Sequence, residues 1–553
     1  MKVNIKHLLL TGAASLVTAG GAAQAADLPV KKAAPIEYVR VCSAYGAGFF
    51  YIPGTDTCLR VGGRARFEYA MQAPLSRGTS VGDYSGYRGL ARINIDARTQ
   101  TAYGSLRAFV RLEAASRTGL PGLHSGTQTR IGNAFPALGV DGYGRVQQYV
   151  NTDKAFVQFA GFTAGRASSF FDFYAHDFEI QAGTLGSDVF STNVAAYTAT
   201  LGNGFSATIS MEDPSFRRTP IYSAQSVAQA TAVAGNSSAV IFAQTNSLTP
   251  VFAGFGPTGL PSGVGFVDVV QRNRMPDFVG VLRYDQPWGS VQISGAVHEI
   301  NTGNAAFGNF VGNNAGTPLS NTNLANVART QSEYGWAVQG GMKVNLPFIA
   351  PGDTLYLQGA YGEGAQLYTG YSSWAGGYAQ TTTVLQGAPF QQFFSDAVLN
   401  PFTNRLELST SFTAVASLLH YWNPTLRSAL FGSYGELSFA PGSRAAQSAF
   451  FGYTSTGPGP FGSQFYNLNQ QLRDTYAFNV GASLIWSPVR DLDIGLEGTY
   501  QNYGVQTGRV LDLNRNPLQT SAAYVNNPAN LGALRTVTNA DVFQVRARVQ
   551  RDF

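Results

Sequence analysis

Charge is scarce in this chain. Asp, Glu, Lys and Arg make up only 12% of the 553 residues, against about a quarter in an ordinary globular protein. Lysine is scarcer still: six of the 37 basic residues are Lys, and two of those, Lys2 and Lys6, sit at the extreme N-terminus. Without that pair the formal net charge drops from +5 to +3 (5 − 2), too small to argue for a nucleic-acid partner. Long apolar runs are also missing. Beyond the first residues no stretch reaches the ~18 uncharged apolar positions that a spanning helix needs, which excludes a helical membrane protein. Histidine is rare, and the four outside the leader (His124, His176, His298 and His420) form no H-E-x-x-H motif. No Walker loop is present. The run Gly457–Gly462 lacks the strand–helix unit that would make it a nucleotide fingerprint. These absences point away from an enzyme, a metal centre and any cofactor.

The N-terminus has the three parts of a secretory signal peptide. Lys2 and Lys6 form the positive region, Leu8 to Val17 the apolar region, and Ala23-Gln24-Ala25 the small-residue cleavage site. Cleavage after residue 25 leaves 528 residues (553 − 25), 26–553. An exported chain meets an oxidising compartment, so Cys42 and Cys58 predict a disulfide rather than a metal site. The bridge would close a loop of about 15 residues, worth roughly 3 kcal/mol in the chain-entropy model. Two free thiols are the alternative.

What the chain has in abundance is glycine (63), tyrosine (27) and phenylalanine (37), arranged in period-two alternation. From the C-terminus, Phe553, Arg551, Val549, Ala547, Val545 and Phe543 share one face, and Asp552, Gln550, Arg548, Arg546 and Gln544 the other. Sixteen segments alternate in this way: 58–70, 86–99, 104–117, 152–160, 162–167, 193–201, 204–212, 276–286, 289–299, 332–345, 353–363, 410–421, 426–437, 475–486, 491–503 and 541–553. Short links alternate with long ones, the layout of a transmembrane barrel with turns on one side and loops on the other. A mean hydropathy of −0.05 fits such a barrel, because lumen-facing polar residues cancel lipid-facing apolar ones. A soluble all-β protein would alternate too. Aromatics near the ends of apolar faces (Tyr334, Trp336, Tyr476 and Trp486) favour the barrel, as interfacial girdles do. The fold expected is therefore an all-β, 16-stranded antiparallel barrel over 58–553, with 26–57 as a periplasmic segment carrying the disulfide. About sixteen strands enclose an aqueous channel rather than a packed core. The stretch 219–271 holds one charged residue, Asp268, and reads as an enlarged external loop.

The polar faces of four strands that closure makes adjacent are basic. They carry Arg64 and Arg66, Arg92 and Arg98, Arg107 and Arg111, and Arg546 and Arg548. On the lipid side each would cost about 2–4 kcal/mol at midplane, so they belong in the lumen as an arginine ladder. Ordinary solvation of the lumen, with Arg–carboxylate pairs of no selective effect, is the plainer alternative. The third long loop, 168–192, is rich in aromatics and carries Asp172, Asp177, Glu179 and Asp188. Folded into the lumen, it would set these acids opposite the ladder across a narrow passage with a strong transverse field. Otherwise it would lie outside, its aromatics against a neighbouring subunit.

The segment Glu37-Tyr38-Val39-Arg40-Val41-Cys42 through Thr57-Cys58-Leu59-Arg60 closely resembles the mature start of alphaproteobacterial porins of the rhizobial and Brucella type. Met275-Pro276-Asp277-Phe278-Val279-Gly280, Asn203-Gly204-Phe205-Ser206-Ala207 and the terminal strand ending in Phe553 are similar to other parts of that family. The resemblance implies a sixteen-stranded general porin in the Gram-negative outer membrane, usually a homotrimer. It passes small hydrophilic solutes and ions by passive diffusion. Lipid, lipopolysaccharide and the barrel-assembly machinery, the last through Phe553, would be its other partners. The resemblance also implies an inward third loop with Asp172, Asp177, Glu179 and Asp188 facing Arg64, Arg66, Arg92, Arg98, Arg107 and Arg111. Two other readings stay open: a substrate-specific channel using the aromatics of loop 364–409 (Tyr368, Tyr371, Trp374 and Tyr378), and an adhesive or structural barrel plugged by its loops.

Overall fold

In the computed structural model, strand after strand reverses the burial rule of water-soluble proteins. Along one strand Thr208, Ser210 and Glu212 are 7%, 0% and 1% exposed, while Ile209 and Met211 between them are 73% and 46% exposed. The greasy face is outside and the polar face inside. A soluble sandwich or propeller does the opposite, so the alternation belongs to a barrel in lipid.

The structure describes residues 40–72, 85–119, 139–140, 146–174, 176–188, 191–219, 221–222, 251–252, 264–265, 271–302, 305–306, 327–328, 331–371, 389–390, 392, 394–400, 403, 405–451, 458–516 and 521–553. Residues 1–25, expected to be a signal peptide, most of 219–271, Trp374 and Tyr378 lie outside them.

Sixteen strands form the wall: β1 Thr57–Gln72, β2 Ser85–Thr101, β3 Gly104–Gly119, β4 Val146–Phe159, β5 Phe162–Ala167, β6 Thr192–Gly202, β7 Phe205–Glu212, β8 Asp277–Gln286, β9 Gly289–Asn301, β10 Ser332–Asn345, β11 Thr354–Glu363, β12 Thr410–Asn423, β13 Leu426–Ser438, β14 Thr475–Val489, β15 Leu492–Val505 and β16 Asn539–Asp552. Each pairs antiparallel with the next, and β1 pairs with β16 (Arg64↔Asp552, Phe67↔Val549), so the sheet has no free edge. Closure lets the paired N–H and C=O groups be satisfied within the wall, as hydrocarbon requires.

Short turns lie on one side. At β6–β7, Asn203 (φ 50) and Gly204 (φ 87) both take left-handed backbone, the two-residue turn whose twist suits a hairpin. The C-terminus is on that side too: Asp552 N donates to Asp491 O (2.8 Å) in the β14–β15 turn. Phe553 exchanges backbone bonds with Gly63, and its ring lies where a side chain at residue 63 would stand. Below β1, Cys42 and Cys58 are disulfide-bonded. Phe50–Tyr51 pairs with the first residues of β1, so the bridge staples the N-terminal lobe to the wall.

Two features depart from the sequence expectation. β4 begins at Val146, not near 152, because its pairing with β3 continues to Thr118↔Val146 past a bulge between Arg111 and Leu112. The loops also build apolar cores of their own. Phe171 and the short helix α1 (Gln366–Thr369) pack, with Tyr368, against inward-facing Val279, Val281, Ala296 and Ala337 of β8–β10. Tyr222, Tyr371, Phe394, Val398, Leu437, Phe439 and Leu472 form another cluster among the long loops. Burying a ring such as Phe171 completely contributes about 1.5–3 kcal/mol, enough to hold a loop against solvent.

Candidate pore constriction

The third loop leaves β5 at Ala167 and turns into the lumen. Phe171 O accepts from Ser294 Oγ and Gln339 Nε2 (2.9 Å each) on β9 and β10. Tyr174 N donates to Gln358 Oε1 (2.9 Å) on β11, and its hydroxyl is hydrogen-bonded to Ser417 Oγ (3.0 Å) on β12. Leu185 N donates to Ser433 Oγ (2.9 Å) on β13. The Glu497 carboxylate on β15 accepts from Ile180 N (2.6 Å) and Gln181 N (2.7 Å). The loop therefore lies along the inner face of β9–β15 and leaves the arginine wall, β16 and β1–β4, facing it. Gly341 allows this approach, because the Phe173 ring occupies the place of a side chain there.

Between loop and wall is a cavity of about 610 Å³. Asp177 and Asp188 line it from the loop, and Arg64, Arg66, Arg92 and Arg111 from the wall. Asp177 makes no hydrogen bond or ion pair among the described residues. Burial, then the neighbouring Asp188, pushes its carboxyl above the usual carboxylate range. On the wall most charges are matched. Arg64 is bidentate to Asp552 (2.6 and 3.0 Å) and Arg92 to the buried Glu113 (2.9 and 2.6 Å). Arg111 reaches Asn94 (2.9 Å) and Asp153 (3.4 Å). Arg66 donates twice to the neutral Gln550 (2.9 and 2.6 Å).

The other expected residues sit elsewhere. Glu179 borders the cavity, but its carboxylate is spent inside the loop on Tyr174 OH (3.1 Å), Gly183 N (2.8 Å), Thr184 N (3.1 Å), Thr184 Oγ1 and His176 Nδ1 (3.2 Å). Burial pushes this carboxyl up, but His176 and the Thr184 hydrogen bonds outweigh burial and hold it below the usual range. Asp172 is buried against Arg217 (2.7 Å), away from the cavity. Arg98 and Arg107 both clamp Asp96 (2.8 and 2.9 Å) nearer the short-turn side, where Arg98 also lies over Tyr45 and Phe49.

Arg427, Asp493, Lys154 and Asp153 also line the cavity. Arg427 and Asp493 form a bidentate pair (3.4 and 2.7 Å), and both follow the inward period of their strands. Lys154 does not follow a simple alternation. The bulge at Asp153 flips the parity of β4 and turns two successive side chains inward.

Residues 27–530 match the porin subfamily. The chain belongs to that family. The porin Omp2b of Brucella suis is 29% identical over 387 residues, 68% of this chain and 79% of the relative. Omp2b of Brucella abortus (strain 2308) is 28% identical over 388 residues, with the same coverage. Among solved structures, the outer membrane channel DcaP of Acinetobacter baumannii aligns at 11% identity and a TM-score of 0.46, covering 91% of this chain and 99% of that one. Salmonella typhi OmpF in complex with daunomycin aligns at 12% identity and a TM-score of 0.38, covering 90% and 98%. As a member of that family this porin is an outer-membrane channel protein, with its short turns, the start of β1 and the end of β16 on one side of the wall.

Proposed function

We propose that the porin passes small hydrophilic solutes and ions by passive diffusion, and that the cavity between the third loop and the arginine wall is the narrowest point of the path. The observation that carries this is Asp177, a carboxylate without an ion pair among the described residues that lines a cavity whose far wall is arginine. Opposite charges across a low-dielectric gap make a field that orients polar solutes and sorts ions. In this reading Asp177 and Asp188 face Arg64, Arg66, Arg92 and Arg111 at the constriction. Asp172 and Glu179 hold the loop, and Arg98 and Arg107 line the lower lumen.

The functional unit we propose is a homotrimer in a lipopolysaccharide-containing membrane. Export uses residues 1–25, and Phe553 serves as the signal to the assembly machinery. It is a channel rather than an enzyme. The substrate-specific reading is less well supported, since Tyr368 and Tyr371 are 0% and 3% exposed and so serve the loop cores, not a sugar platform. The test is single-channel current of the refolded mature chain in a planar bilayer under a salt gradient. Large ohmic steps arriving in threes are expected. Silence from folded protein would overturn the reading in favour of a plugged barrel.

A further inference from the structure

Around the cavity, charge on the arginine wall is least balanced at Glu68. Its carboxylate lies 2.7 Å from Arg88, 3.5 Å from Arg66 and 3.9 Å from Arg546. Arg548 stands directly across the β1–β16 register from it. Asp493 and Asp552, the neighbours on either side, are already paired with Arg427 and Arg64, and Glu497, opposite Arg546, has its oxygens taken by the two backbone N–H groups of the third loop. With Arg88 set aside, Arg66, Arg546 and Arg548 still share two carboxylates, Glu68 and Glu497, among the described residues, an excess of one positive charge (3 − 2). Elsewhere on the wall Arg64–Asp552, Arg92–Glu113 and Arg427–Asp493 pair one to one.

The excess is directed at the cavity. Arg88 and Arg546 are each 1% exposed, packed behind the surface. Arg66 and Arg548 line the cavity itself. Arg548 makes no hydrogen bond and no ion pair among the described residues, so its whole donor fork is available. A buried or half-buried guanidinium without an acceptor is costly, and the cost falls when a mobile anion supplies one. The parallel N–H pair of a guanidinium matches two oxygens of one group better than it matches a single spherical halide.

We propose that Arg548 and Arg66, backed by Arg88 and Arg546, form a binding station for small oxyanions, phosphate- or carboxylate-like solutes, on the wall of the constriction. The inference rests on the channel reading and gives that channel a solute class. An oxyanion would be drawn to the excess charge, dwell at Arg548 and obstruct chloride while it stayed.

The test is current through the reconstituted mature chain at fixed ionic strength, with chloride progressively replaced by inorganic phosphate. The expected result is a saturable fall in current. Arg548→Gln should raise the half-blocking phosphate concentration about tenfold or more, the loss of one charge-assisted contact. Arg548→Lys keeps the charge and loses the fork. It should weaken the phosphate block with little change in chloride current, and it carries the test should the glutamine variant not fold. Arg490→Gln, in an exposed turn with the guanidinium 92% exposed, should leave the block unchanged. A non-saturable fall, equal in all variants, would overturn the inference and leave the channel reading standing. A folded chain that passes no current overturns both.

Discussion

Arg217 and Asp172 form a buried ion pair, Nη2 to Oδ1 at 2.7 Å, that ties the root of the constriction loop to two other loops. The same guanidinium donates to Ser187 Oγ (2.7 Å) at the far end of the third loop and to Leu367 O (2.9 Å) in α1. It lies 4.2 Å above the Tyr368 ring. The pair therefore works as a structural lock, although Asp172 belongs to an acidic loop that faces arginines.

Removing one partner leaves a buried charge uncompensated. Arg217→Gln should destabilise the folded barrel by about 3–5 kcal/mol. The double variant Asp172→Asn with Arg217→Gln should cost less, because neither charge is stranded. Denaturant melts of the detergent-solubilised protein measure both. Equal losses in the single and double variants would show that the charges are not coupled.

The Glu497 carboxylate holds the loop tip through two backbone N–H groups, at 2.6 and 2.7 Å. Glu497→Ala orphans both, at about 1–3 kcal/mol each. The expected readout is a noisier open channel with frequent brief sub-states, from a loop that no longer stays against β15. A trace as quiet as the wild type's would place the anchorage elsewhere.

Acid should change selectivity before it loosens the loop. Asp177 has its carboxyl raised, so it loses charge as pH falls towards the usual carboxylate range from above. Zero-current potentials under a salt gradient should then move towards anion preference, and Asp177→Asn should abolish the movement. In linkage terms, Asp177 contributes stability that is present at low pH and lost as pH rises through its folded value. Glu179 is depressed and runs the other way. Its contribution is present above the ordinary value of about 4.3 and is lost only as pH falls through the lower folded value. Glu179→Gln should therefore lower stability at neutral pH and flatten its acid dependence in the same melts.

The Cys42–Cys58 bridge joins a small lobe to β1, while the sixteen-strand pairing does not pass through it. Cys42→Ser with Cys58→Ser should lower stability by up to roughly 3 kcal/mol and leave the folded, heat-modifiable barrel intact on a gel. Loss of the folded band would make the bridge a requirement for closure.

The wall was legible in the sequence because lipid and lumen impose opposite demands on alternate residues. Ile209 beside Ser210 states that demand in two letters, and it recurs in every strand. The start of β4 is hidden in the sequence because the Asp153 bulge breaks the period there. The arginines could be assigned to the lumen by cost alone. Which of them face the cavity could not, because that depends on depth along the barrel: Arg64 and Arg98 share the inward face but not the same level. Asp172 and Glu179 were legible as lumen acids, not as lock and latch. Their partners, Arg217 and Thr184 with His176, become visible only when the loop's path is known.

The seam between β1 and β16 joins residues 488 positions apart, as in Arg64–Asp552. Until those two strands meet, each offers a bare row of amide groups, one for the whole period during which the rest of the chain is delivered. Such edges invite pairing with the wrong chain. Contacts that distant also form slowly. For this molecule the hazardous interval is the journey rather than the destination: the open ribbon carries the exposed edges, and once sealed the ring leaves a stray strand nothing to grip.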